Sequence, residues 1–235
     1  MKEIYNNYYK HFSRFNQVDK KSFEIVADAY RHWYKKFLPD NKNIKILDIG
    51  CGMGHFLYFL EREGYQNFIG IDISEDQINF CKKDITEKVL VADIFEFLKR
   101  GEKFNVISAN DVIEHQPKEK LLEFLNLIFN SLNDGGILFV KTDNMSNPFG
   151  LRGRYMDVTH EIGFTEHSLR EILESVGFQK INIIGGFSPV KKTLRSLIGR
   201  ILMIMTHKLL KFMFFVQGYP IPEILTKDII AIAHK

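Results

Sequence analysis

Cysteine is nearly absent. Cys51 and Cys81 are the only two in 235 residues, without the number or spacing of a disulfide framework or a zinc site, so a reducing cytoplasm is the natural expectation. The opening residues, MKEIYNNYYK, hold no apolar core, and no secretory leader is expected. Repeats and low-complexity tracts are missing too. A net charge of +3 is too small to argue nucleic-acid binding. Acidic residues are missing from one long stretch. Between Ser175 and Pro222 stand Lys180, Lys191, Lys192, Arg195, Arg200, Lys208 and Lys211, but no Asp or Glu. Within it, LIGRILMIMTHKLLKFMFFV (197–216) has the length of a membrane span. Arg200, His207, Lys208 and Lys211 interrupt it, and their insertion cost argues against crossing.

What is present reads as one α/β domain. Hydrophobic residues make up 45% and charged residues 26%, an ordinary globular balance. From Ile44 on, strand-length apolar runs (IKILDIG, FIGID, KVLVAD, FNVISAND, GGILFVKT, KINIIGG and DIIAIAHK) alternate with helical segments. The runs are continuous rather than alternating, as expected when helices cover both sheet faces. Gly64, Gly101, Gly135 and Gly177 are read as helix ends, and Thr165 with Glu166 and Ser168 as a helix cap. The expected fold is a doubly wound, mostly parallel seven-stranded sheet. N-terminal helices precede it, and a helical insertion stands before the last strand. Such sheets bind ligands at the carboxyl ends of their strands. Ahead of Ile44, Tyr5, Tyr8, Phe12 and Phe15 recur at helical spacing, either as a helix packed on the domain edge or as a lid over the ligand.

The run ILDIGCGMG carries Gly50, Gly52 and Gly54 just after Asp48. Dinucleotide sites use G-x-G-x-x-G, a spacing not found here, and a phosphate beside Asp48 meets like-charge repulsion. The turn suits close backbone approach by a ligand with a positive centre. Asp72, closing GIDIS, stands where an acid takes both ribose hydroxyls, and Asp93 in VADIF where one accepts from an adenine amino group. Ribose, adenine and a cation in one cleft describe S-adenosylmethionine.

At this point the sequence resembles the class I S-adenosylmethionine-dependent methyltransferases over most of its length. ILDIGCGMG, GIDIS, VADIF, FNVISANDVIEH and LNDGGILFV follow in the family's order, and DIIAIAHK is similar to its final antiparallel strand. The resemblance implies cofactor contacts from Tyr8, from Asp48, Gly50, Cys51, Gly52 and Gly54, from Asp72, Ile73 and Gln77, from Asp93 and Ile94, and from Asn110 and Asp111. It implies a methyl acceptor at the far end of strand four, where His115 follows as a packing or catalytic residue. The division it implies is 1–43 as N-terminal helical lid, 44–190 as cofactor-binding core and acceptor loop, 191–217 as basic apolar insertion and 218–235 as final strand.

A hydroxyl acceptor must lose a proton as the bond to carbon forms, so a base is wanted. RGRYMDVTHEIGFTEHS (152–168) concentrates the candidates. His160 is the expected general base because its ordinary pKa lies near neutrality, with Asp157 to orient it. Arg152, Arg154 and Tyr155 are the expected acceptor contacts. Two ligands make a poor metal site, so no metal is expected. DVTHEIGFTEHSLREILESVGF is similar to methyltransferases encoded with bacterial polysaccharide genes, implying a sugar hydroxyl of a surface glycan. An amine or a quinone-like phenol is the enzymatic alternative, and a non-catalytic cofactor-binding subunit the alternative of another class. N/D-P-P-Y/F, which marks methyltransferases of DNA-base amino groups or of glutamine, and the Pro-Cys of those that methylate cytosine carbon are missing after strand four, so no nucleic-acid partner is expected. Leu194, Leu197, Ile198, Ile201, Leu202, Met205, Leu209 and Phe212 form one helical stripe, which suits a membrane interface on the inner face, a homodimer contact or the domain's own surface.

Overall fold

The computed structural model describes residues 19–186 and 194–235. The expectations for Tyr5, Tyr8, Phe12, Phe15, Lys191 and Lys192, and for the side chain of Arg195, lie outside the described residues.

Helix α1 (Lys20–Tyr34) begins at Asp19, whose side chain accepts from Ser22 N while Ser22 reciprocates, a capping box that satisfies two end donors. There follow β1 (Ile46–Ile49), α2 (His55–Arg62), β2 (Phe68–Asp72), α3 (Glu75–Asp84), β3 (Val89–Val91), α4 (Ile94–Leu98), β4 (Phe104–Asn110), α5 (Leu121–Ser131), β5 (Leu132–Asp143), α6 (Gly150–Met156), α7 (Glu166–Val176), β6 (Gln179–Gly185), α8 (Leu194–Val216) and β7 (Asp228–His234). The strands lie in the order β3-β2-β1-β4-β5-β7-β6. Six strands point the same way, and β7 enters antiparallel to them between β5 and β6. The expected doubly wound sheet is present. Chain direction across the sheet reverses between β1 and β4, which opens a crevice at their carboxyl ends.

All four residues of β1 are buried because the sheet is covered on both sides. Alternate strand residues divide between two cores. Leu47, Ile49, Ile107, Leu138 and Ala231 meet α4, α5 and α7 on one face, while Ile46, Val106, Phe139 and Ile230 meet α1, α2 and α3 on the other. The second core is aromatic, with Tyr34 stacked on Phe139 at 4.4 Å and edge-on to Phe56.

Thr165 caps α7 in a capping box with Ser168, and Gly177 ends it in a left-handed conformation. Gly135 differs from expectation. Helix α5 stops at Ser131, because the buried Leu132 already pairs with Phe104 in the sheet, and Gly135 falls within β5.

Candidate active site

The glycine run turns the chain from β1 into α2 with left-handed backbone at Gly50 (φ +64°) and Gly52 (φ +52°). A Cβ at Gly50 would stand 2.5 Å from Val112 Cγ2, and one at Gly52 2.8 Å from Gln77 Oε1. Only glycine gives both the dihedrals and the clearance. The turn is tied down by Gly52 N, which donates to Asp72 Oδ2 at 2.8 Å, while Ser74 N donates to Asp72 Oδ1 at 2.8 Å. Burial raises the Asp72 carboxyl above the usual range, against the pull of those N–H groups.

Asp48 sits beneath this turn, 2% exposed, and accepts a hydrogen bond from Ser108 Oγ. Burial lifts its pKa to about 7; the Ser108 bond opposes the rise and nearby Asp72 adds to it. A cation beside it would favour the ionised form.

Above these residues lies a cavity of about 510 Å³ at the crevice between β1 and β4. Asp48, Gly50, Cys51, Gly52, Asp72, Ile73, Gln77, Ile94, Asn110, Asp111 and His115 all line it. Helix α1 closes one side with Ile25, Val26, Ala29, Tyr30 and Trp33. At the β4 end, Tyr34 Oη donates to Asn110 Oδ1 at 2.6 Å, and the buried Asn110 Nδ2 has no partner. Asp111, at φ +55°, pairs with Lys141. Burial works against the Lys141 ammonium, but Asp111 and Asp228 outweigh it and hold it charged. His55, stacked on Phe23 at 4.1 Å, is pushed down to about 4 by burial and so is neutral.

Beyond Asn110, a 3-10 turn over Ile113–His115 carries Glu114 and His115. The Glu114 carbonyl accepts from both Glu161 N (2.7 Å) and Ile162 N (3.1 Å), which fastens the 157–162 segment to this turn. His115 and His160 then meet edge to face, with ring centroids 4.6 Å apart. Their hydrogen bonds fix their tautomers. Thr159 Oγ1 donates to Asp157 Oδ1 at 2.7 Å, so its lone pair accepts from His115 Nδ1 at 2.8 Å. His160 Nδ1 donates to the Gly153 carbonyl at 3.1 Å. In the neutral form of either ring, Nε2 is then the nitrogen that keeps its lone pair. Burial, and then His160, lowers His115 to about 4. The Glu114 carboxyl is raised, first by burial and then by Asp111. Thr142 lies close enough to oppose that rise, yet neither Glu114 Oε2 nor Thr142 Oγ1 completes a hydrogen bond.

Other expected site residues stand elsewhere. Asp93 Oδ1 accepts from Phe95 N and Glu96 N at the start of α4, and the residue stands outside the cavity lining. Gly54 packs toward Cys81 behind the turn. Asp157 and His160 reach the cavity through Thr159 and His115. Arg154 is committed to the backbone carbonyls of His160 and Glu161, while Arg152 and Tyr155 face outward on α6. Sequence reasoning passed over Tyr34, Lys141 and Glu114. For Glu114 the signal was present, since Asp111, Glu114 and His115 crowd three ionisable groups into five positions. For Lys141, inside an apolar strand, and Tyr34, inside an aromatic helix, there was none.

On α8 the apolar stripe turns away from the domain. Met203, His207 and Leu210 face inward toward Phe149 and Leu225, while Leu194, Leu202, Met205, Leu209 and Phe212 are 58% exposed or more. No helix among the described residues is long and apolar enough to cross a membrane.

The sequence profile of a family described as "Methyltransferase domain" matches residues 23–183. The chain is 31% identical to an uncharacterised protein of Rickettsia prowazekii over 151 residues (55% of this chain, 59% of that one). It is 35% identical to the ubiquinone biosynthesis O-methyltransferase of Bartonella quintana over 108 residues (44% and 42%). The match thus spans about half the length of these relatives. A crystal structure of a SAM-dependent methyltransferase from Archaeoglobus fulgidus superposes with a TM-score of 0.72 at 24% identity, over 97% of this chain and 99% of that one, and so shares its fold.

Proposed function

We propose, from the premise that this chain belongs to the methyltransferase domain family, that it is a methyltransferase with S-adenosylmethionine as cofactor and a hydroxyl as acceptor. Bound in the cavity, the cofactor supplies a methyl group already activated by a positive sulfur. The residues present fit it. Gly50 and Gly52 leave backbone clearance that any Cβ would close, Asp48 and Asp72 bring acidic groups to the turn, and the unpaired Asn110 Nδ2 offers a buried donor.

The observation that carries the acceptor reading is His115, held at the β4 end of the cavity with Nδ1 on Thr159 Oγ1 and with the His160 ring packed edge to face against it. A bare imidazole nitrogen takes a proton from a hydroxyl as that oxygen becomes nucleophilic, a contribution of roughly 10²–10⁴ in rate. His160 is the proposed base, and Asp157 orients the pair by ordering Thr159. The rest of the catalytic effect is alignment and exclusion of water, for which α1 and the 157–162 segment form walls.

For the acceptor itself, the resemblance of DVTHEIGFTEHS to polysaccharide-linked enzymes favours a sugar hydroxyl. The name carried by the Bartonella relative supports a second reading, a phenol of a quinone precursor. Labelled S-adenosylmethionine with nucleotide sugars, glycan fragments and dihydroxybenzoates tests both, read as S-adenosylhomocysteine release. Turnover on a hydroxyl, lost in His160→Ala, is expected. Turnover on amines alone, unchanged in that variant, overturns the reading. The outward stripe of α8, with Arg200, Lys208 and Lys211 and no acid between Ser175 and Pro222, supports peripheral seating on an anionic membrane surface, where a lipid-linked acceptor is presented.

A further inference from the structure

We propose that Glu114, His115 and His160 form a binding site for one divalent first-row transition cation. One carboxylate oxygen of Glu114 and one ring nitrogen of each histidine lie within 4.8 Å of one another. Ligands on a tetrahedral ion at bond lengths of about 2.1 Å stand about 3.4 Å apart, so a shift of roughly an ångström closes the set.

Three independent features make this more than proximity. Glu114 is 3% exposed, and its Oε2, buried with no hydrogen-bond partner, is an acceptor that the folded chain leaves unsatisfied. Both histidines have the outer arrangement that metal ligands require. One ring nitrogen of each is spent on an oxygen, Thr159 Oγ1 for His115 and the Gly153 carbonyl for His160, so each Nε2 keeps its lone pair. The segment bearing His160 is fastened to Glu114 by two backbone hydrogen bonds, which brings residues distant in sequence together before any ion arrives. Two imidazoles and one carboxylate suit Mn²⁺, Fe²⁺, Co²⁺ or Zn²⁺ better than the oxygen-seeking Mg²⁺ or Ca²⁺. Three protein ligands leave coordination positions open.

Because His115 also lines the main cavity, an acceptor hydroxyl can occupy an open position. The ion then acidifies that hydroxyl, whose proton passes to solvent water, and His160 acts through the ion rather than directly. This last step rests on the proposed methyl transfer; the binding of the ion does not.

The test is titration of metal-stripped full-length protein with Co²⁺, followed by its visible absorption. One equivalent per chain is expected. Glu114→Gln and His160→Ala are expected to weaken uptake at least a hundredfold. Thr159→Val, which removes the acceptor for His115 Nδ1 together with the hydroxyl donor to Asp157 Oδ1, is expected to weaken it 10- to 100-fold. His167→Ala, on the exposed start of α7, should leave it unchanged. S-adenosylhomocysteine binding reports folding, and where a ligand variant has lost it, Thr159→Val takes its place. No uptake, or uptake equal in wild type and in the folded variants, overturns the site. Turnover that persists in chelator without Co²⁺ uptake removes the site and leaves the methyltransferase reading standing. Co²⁺ uptake without turnover on any acceptor does the reverse.

Discussion

Tyr34 donates its phenolic proton to Asn110 Oδ1 across 2.6 Å, and that bond decides which end of the amide is left over. With Oδ1 occupied, the buried Nδ2 is the group that waits for a ligand's acceptor oxygen. Removing the phenol frees the amide to turn and leaves Oδ1 unsatisfied, at a cost of about 1–3 kcal/mol. Tyr34→Phe is therefore expected to lower the melting midpoint by about 2–4 °C for each kcal/mol lost. It should also weaken S-adenosylhomocysteine binding about tenfold by calorimetry, since the lost orientation is worth about 1.4 kcal/mol. Unchanged binding would show that the amide does not touch the cofactor.

Asp48 gives the protein a pH dependence with a definite sign. Its folded pKa of about 7 lies above its ordinary 3.8, because burial disfavours the charge. The group therefore favours folding below about pH 4. That contribution fades as pH rises through 7, leaving a cost of about 4 kcal/mol when the carboxylate is ionised. Asp48→Asn is expected to melt higher than wild type at pH 8 and equally at pH 4. The same variant should bind S-adenosylmethionine more weakly at pH 8. Parallel melting curves across that range would refute the assignment.

Gly50→Ala is expected to fail on two counts. Its φ of +64° strains any L side chain, and the new methyl meets Val112 Cγ2 at 2.5 Å. Val112 is buried and cannot step aside freely. A loss of about 1–3 kcal/mol in stability, with at least tenfold weaker cofactor binding, is the expected result in chemical denaturation and calorimetry. Gly64→Ala, with nothing within 4 Å of the added carbon, isolates the backbone strain from the clash.

The α8 surface is tested by charge. Reversal of Lys208 and Lys211 to Glu is expected to abolish co-flotation with vesicles containing phosphatidylserine, about 1 kcal/mol being lost per cation removed. Turnover on a soluble acceptor should remain. Equal flotation of the variant and wild type would remove the lipid from the account.

The sheet and the glycine turn at the β1 end of the cavity were legible because each depends on local signals. Continuous Ile/Val/Leu runs mark doubly covered strands, and Gly50, Asp48 and Asp72 act within a few residues of the turns that position them. The β4 end was less legible. His160 was singled out for its chemistry, but its neighbours His115 and Glu114 come from a different turn of the chain, joined by hydrogen bonds to the Glu114 carbonyl that no spacing encodes. Gly135 was misread for a related reason. Its sequence suits a helix end, but pairing of Leu132 with Phe104 draws the chain into the sheet first.

The stack of Tyr34 on Phe139 has a bearing on traffic through the molecule. It rivets α1 to the centre of the sheet, so the wall bearing Tyr30 and Trp33 cannot swing outward without tearing open an aromatic core. A crosslink pinning α1 to α2 should therefore leave the turnover number untouched.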